Sequence, residues 1–244
     1  MRALFLGFAL IAYAIFFATF LYLIGFVGNL DVLPTTVDKG PAGPIGAAVI
    51  TDVVLVALFG LQHSVMARQG FKRNWTRIVP WPIERSVYVL FASAALIILF
   101  SLWRPIGGMV WDVANPTAQV ILWALFLAGW GIVLLSTFLI NHFELFGLQQ
   151  AWLHLRNREP AKPVFHQPLF YKWVRHPLYL GFFLAFWSTP HMSYGHLLLS
   201  AGVSIYMLIA IRYEERDLVD LFGDQYVQYR ARVGMLIPGL GRRS

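Results

Sequence analysis

The stretch VRHPLYLGFFLAFWSTPHMSYGHLLLSAGVSIYMLIAIRYEE, residues 174–215, decides how the chain is read. Polar residues stand at or beside its two ends: Arg175, His176, Pro177, Tyr179 and Gly181 at the first, Arg212, Tyr213, Glu214, Glu215 and Arg216 at the second. Between them run about thirty mostly apolar residues interrupted by Pro190 and Gly195, enough for two short membrane helices that turn back on themselves. Such a hairpin returns both polar clusters to one side of a membrane. Ionisable groups gathered at a bilayer are expensive, so the pattern points to a functional site. Pro177 suits the first turn of a helix, because its ring fixes φ and it has no amide hydrogen to leave unpaired. His176 then stands at the helix entrance. The free amides there, with Arg175, make a carboxylate site, while Glu214 and Glu215 suit an ammonium group or ribose hydroxyls. A ligand that joins an amino acid to a nucleoside satisfies both ends.

The rest of the chain supports a membrane reading. Of 244 residues, 58% are hydrophobic and only 13% charged, against about 25% charged in a soluble domain. Apolar runs are expected at about residues 3–27, 45–66, 83–103 and 118–140, ahead of the hairpin. The expected fold is all-α: a polytopic integral membrane helical bundle of five to six transmembrane helices with a C-terminal helical hairpin. One membrane domain accounts for the whole length, with residues 1–140 forming the substrate side and 141–244 the cofactor site. The segment Leu178 to Thr189 is short for a full crossing and is expected to stop inside the bilayer.

The formal net charge of +7 reports topology before it reports partners. Lys and Arg concentrate in loops 67–82 and 147–173 and in the tail, which ends in Arg242 and Arg243, whereas loops 29–44 and 104–117 carry little positive charge. The basic loops and both termini are therefore expected on the cytoplasmic side, in a bacterial inner membrane. Nucleic-acid binding is excluded, since no basic patch is interleaved with a soluble fold. With no cysteine, disulfides, thiolate metal sites and a Cys nucleophile are excluded too. The seven histidines show no metal-ligand spacing, so no metal is expected.

On this topology the cytoplasmic edge gathers His63, Glu84, Arg85, His142 and Glu144 with the two ends of the hairpin. His63 and His142 titrate in the range useful for a base, with Glu84 or Asp52 able to orient one of them. Each also has a plain reading: His63 as the cap of a span, Glu84 complementing a helix dipole, Arg85 snorkelling to the surface. A third reading makes His63 and His142 axial ligands of a haem, or part of a quinone site, in a subunit that is not an enzyme.

The RHPxYxG turn, the apolar hairpin, the Glu214-Glu215 pair and the following FGxxYxxY (Phe222, Gly223, Tyr226, Tyr229) resemble the isoprenylcysteine carboxyl methyltransferase superfamily of integral membrane enzymes. The resemblance implies S-adenosyl-L-methionine as cofactor, entering from the cytoplasmic side. By matching positions it nominates His176, Tyr179, Gly181, Glu214 and Glu215, with Arg175 nearby, as cofactor-binding residues. The segments IGFVGN (24–29), LQHSVMAR (61–68), IERSVYVL (83–90), STFLINHFELFGLQQAW (136–152) and EERDLVDLFG (214–223) are similar to the methanethiol S-methyltransferases within that superfamily. NnrU-type membrane proteins share some of the same features. The likeness implies a small thiol substrate, methanethiol, converted to dimethyl sulfide, with His63, His142 and Glu84 as catalytic candidates and Arg85 and Asp52 on the substrate side. A prenylcysteine carboxylate or a lipid is the alternative acceptor. Methanethiol is small and apolar, so a buried pocket suffices, and the enzyme needs a group that favours its thiolate.

Overall fold

A computed structural model describes residues 1–241; Arg242 and Arg243 lie outside the described residues. The chain is helical apart from two short strands. In order it forms α1 (Arg2–Val27), α2 (Ile45–Ala67), α3 (Gln69–Trp75), α4 (Trp81–Leu102), β1 (Met109–Asp112), α5 (Pro116–Ile140), α6 (His142–Leu145), α7 (Leu148–Leu155), α8 (Pro177–Trp187), β2 (His191–Ser193), α9 (Tyr194–Phe222) and α10 (Asp224–Arg232). A short 3-10 turn, Leu169–Lys172, precedes α8.

Among the described residues five helices, α1, α2, α4, α5 and α9, are long and apolar enough to cross a membrane. Their exposed faces are as apolar as their buried ones: Ile11 is 63% exposed, Ile50 67%, Val120 68% and Leu127 64%. A soluble helix confines such residues to one stripe, and apolar residues all round mark a helix solvated by lipid. The chain is an integral membrane protein.

Local sequence sets the helix ends. Pro82, Pro116 and Pro177 occupy first-turn positions, where a missing N–H breaks no helical bond. The Asn115 side chain accepts from the Ala118 amide at 3.1 Å, capping α5. Gly147 adopts φ +87° at the entrance to α7, and a Cβ there would come within 2.4 Å of Ser86 Oγ. Only glycine suits that approach.

The helices divide into two compact units that interleave along the chain. The first holds α1 to α4, α6, α7 and the start of α9, and in it α4 is the central element, packed on α1, α2 and α7. Its connection between α4 and α5 carries β1, which pairs with β2. The amides of Tyr194 and Gly195 donate to Gly108 O at 3.2 Å and Ile106 O at 3.4 Å, fixing the start of α9 beside that connection.

The second unit is built on α5 and α8 with the remainder of α9 and α10. Here α5 and α8 touch backbone to backbone. A Cβ on Gly181 would lie 2.7 Å from Gly129 O and 2.8 Å from Val133 N, and a Cβ on Gly129 would lie 2.6 Å from Ala185 N. Small residues at such a crossing let two membrane helices approach closely.

The hairpin arms differ in length. The 11 residues of α8 span about 16 Å, whereas the 29 residues of α9 span about 43 Å. From Tyr194 to Glu215 the rise is about 31 Å. Ser188, Thr189 and Pro190 are buried, the condition under which non-helical backbone is tolerated at membrane depth. Helix α8 ends at Trp187 and is too short to cross a membrane on its own.

Replacing Gly181 by Val should force α5 and α8 apart at a cost of about 1–3 kcal/mol or more. A lowered melting temperature of the detergent-solubilised protein, with Gly7→Val on the open face of α1 as the unaffected control, is the expected result.

Candidate active site

In the second unit the site forms where residues 174–177, the end of α9 and the tail after α10 converge. Val174 bridges to Gly234 in parallel fashion, the Arg175 amide donates to Gly234 O at 2.8 Å, and the His176 amide donates to Met235 O at 3.2 Å. The Arg175 side chain is fully buried. Its Nε donates to Glu215 Oε1 at 2.7 Å, Nη1 to Arg230 O at 3.1 Å and to Val233 O, and Nη2 to Gly241 O at 3.0 Å. A buried guanidinium is stable only when its donors are met in this way.

Glu215 is 2% exposed and shares the same Oε1 with His176 Nε2 at 3.3 Å. Glu214, on the adjacent position of α9, stays 45% exposed, with Oε2 3.9 Å from His176 Nδ1. The Tyr179 ring lies 5.7 Å from the His176 ring, one turn into α8. The structure therefore brings together Arg175, His176, Tyr179, Glu214 and Glu215.

Arg175 gives its donors to Glu215 and to three backbone carbonyls. Gly181 is set against α5, where its missing side chain allows the close helix packing.

Aromatic residues wall the cluster. Phe165 packs on Phe222 at 5.3 Å and Tyr229 at 5.4 Å, and Tyr229 Oη donates to Tyr171 O at 2.6 Å. Burial, reinforced by the charge of Glu214 at Tyr171 and of Glu215 and Glu214 at Tyr226, raises both phenols well above the usual tyrosine range. Burial likewise raises Tyr229. All three stay protonated and serve as donors. Among the described residues the hydroxyls of Tyr171 and Tyr226 and Nε of Arg230 are buried without a hydrogen-bond partner. A cavity of about 320 Å³ is lined by Arg212, Glu215, Arg216, Val219 and Arg230, at the lower end of small-ligand sites.

The first unit holds the other candidates. His63 Nε2 pairs with Tyr88 Oη at 2.8 Å, joining α2 to α4. His142, buried directly after α5, pairs through Nε2 with Tyr13 Oη at 2.8 Å. Its ring is enclosed by Tyr13 at 5.7 Å, Phe143 at 5.5 Å and Phe146 at 4.8 Å. Burial pushes its pKa below the ordinary value, so the ring is neutral at pH 7. Both Nε2 atoms are thus held by tyrosines.

Glu84 pairs with Lys72 at 3.4 Å. Arg85 donates from Nε to Leu145 O at 2.8 Å and lies 4.7 Å over the Tyr88 ring, stapling α4 to the end of α6. Asp52 is fully buried and accepts from the Arg104 amide at 3.0 Å. It stands about 16 Å along α2 from His63, too far to orient that ring. Tyr13, Tyr88, Lys72 and Arg230 were missed by the sequence reading. Their partners stand 12 to 129 positions away in sequence or are absent, and no local pattern announces them.

Near-full-length relatives bear on this geometry. The chain is 54% identical over 227 residues to the methanethiol S-methyltransferase of Mycobacterium tuberculosis, covering 93% of each protein. It is 55% identical to methanethiol S-methyltransferase 1 of Bradyrhizobium diazoefficiens, over 93% of this chain and 79% of that one. It is also 47% identical to the Crocosphaera subtropica enzyme of that name, over 100% and 95%. The chain belongs to the methanethiol S-methyltransferase family. It is an enzyme that transfers a methyl group, and the family therefore implies a methyl donor. A more distant likeness, 28% identity over 184 residues, reaches nurim of Danio rerio. No family model matches the chain, and no solved structure matches it.

Substituting Arg175 by Ala removes one partner of a buried ion pair and releases the tail, which should cost about 3–5 kcal/mol. Limited proteolysis should then cut within residues 230–241 at protease levels that leave the parent intact.

Proposed function

We propose that the chain methylates methanethiol to dimethyl sulfide at the expense of S-adenosyl-L-methionine. The observation that carries this reading is the 46–55% identity to bacterial methanethiol S-methyltransferases over most of the chain. The donor set of the second unit fits the cofactor: donors on Tyr171, Tyr226 and Arg230 that are buried and unpartnered among the described residues, with a cavity lined by Arg230 and Glu215, suit a ligand with both acidic and hydroxyl groups. His176, Tyr179, Glu214 and Glu215 hold it, and Arg175 acts by fixing Glu215. S-adenosyl-L-methionine, when bound, supplies a sulfonium methyl as electrophile.

On the acceptor side His142 takes the thiol proton. Its neutral ring is the form that accepts a proton, Tyr13 fixes its orientation, and the aromatic side chains around it suit a small apolar sulfur compound. His63 with Tyr88, and Glu84 with Lys72, shape the same unit.

Purified protein given methanethiol and methyl-labelled S-adenosyl-L-methionine should release labelled dimethyl sulfide, detected by headspace gas chromatography. A protein that binds the cofactor but releases none would sink the acceptor assignment. Because His142 works neutral and burial lowers its pKa, activity should persist below the ordinary histidine value of 6.5 and fall only as pH drops further. His142→Asn should lower kcat by about 10²- to 10⁴-fold and abolish that acidic limb.

The basic loops and both termini face the cytoplasm of a bacterial inner membrane in this reading. The absence of native cysteine makes a direct check possible. A membrane-impermeant maleimide added to intact spheroplasts should label Gly43→Cys and spare Asn74→Cys, and the reverse pattern would invert the topology.

A further inference from the structure

Resting on that proposed cofactor, the question is which residues receive its amino-acid carboxylate, given that Arg175 does not. We infer that Arg230, assisted by Arg212 and Arg216, is the carboxylate seat of the methyl-donor site. Arg212, Glu215, Arg216 and Val219 recur at i, i+3, i+4 and i+7, so they share one face of α9, and all four line the cavity with Arg230.

The single acid in that lining, Glu215, already serves Arg175 and His176 through Oε1. Three arginines thus line the cavity against one carboxylate that is already engaged by Arg175 and His176. Such a cavity attracts an anion, and a planar guanidinium matches a carboxylate in two parallel hydrogen bonds.

Arg230 carries the decisive atom. Among the described residues its Nε is buried and has no hydrogen-bond partner, which is costly for a charged donor unless a ligand completes it. Tyr226, one turn earlier on α10, is 2% exposed, and its hydroxyl also lacks a partner among the described residues. The backbone of Arg230 is meanwhile held by Arg175 Nη1 at 3.1 Å. The arginine of the RHP turn therefore positions the arginine that binds.

The test is calorimetry on the full-length protein in detergent, with S-adenosyl-L-methionine and with its decarboxylated form. The parent should bind the carboxylate form about ten- to a hundredfold more tightly, the range of a charge-assisted hydrogen bond. Arg230→Gln should erase that preference while leaving affinity for the decarboxylated form within about twofold, and Arg230→Lys should keep part of it. Equal weakening of both ligands by Arg230→Gln would mean a structural role and overturn the seat. A parent with no preference overturns it too, yet leaves the methyl donor assignment standing. A parent that binds neither ligand overturns the donor assignment itself. If Arg230→Gln does not fold, Arg212→Gln, on the exposed end of α9, carries the same comparison.

Discussion

The arrangement depends on one buried cation. Arg175 lies with its side chain wholly out of solvent, where an unpaired guanidinium would be prohibitive. Its partners come from three places that are remote in sequence: Glu215 on α9, the carbonyls of Arg230 and Val233 at the end of α10, and Gly241 beyond it. None of these interactions holds unless the others do, because each leaves a donor bare when it is lost. The RHP turn, the end of α9 and the tail are therefore one cooperative object. Gly234 belongs to it as well: a Cβ there would come within 2.1 Å of Ile237 O, so the tail takes this path only with glycine.

The candidate side chains of the two units are held differently. In the second, charge is concentrated and paired, with tyrosines kept protonated by burial. In the first, His63 pairs with Tyr88, His142 with Tyr13 and Glu84 with Lys72.

The spans were legible because lipid imposes a simple rule on composition, and the hairpin because Pro177 and the charged ends punctuate it. What Arg175 does was not legible, since three of its four acceptor groups are backbone carbonyls and any residue type carries one. A glycine that admits a ligand and one that admits a neighbouring helix look identical in sequence, and only the contact of Gly181 with Gly129 reveals the second use. The distance of Asp52 from His63 along one helix, in contrast, follows from residue spacing alone.

The rise of α9 fixes a depth. Its apolar part, from Tyr194 to Ile211, measures about 27 Å, close to the hydrocarbon thickness of a bilayer, and Arg212 to Glu215 follow at once. The helix is thus a ruler whose zero is the β1–β2 pairing and whose mark is the carboxylate pair. A thicker membrane would draw that mark into hydrocarbon, and a thinner one would lift it into the headgroups, at a cost of a fraction of a kcal/mol per Å (roughly). Lipid chain length thereby becomes a quantity to which the charged end of the enzyme is physically matched.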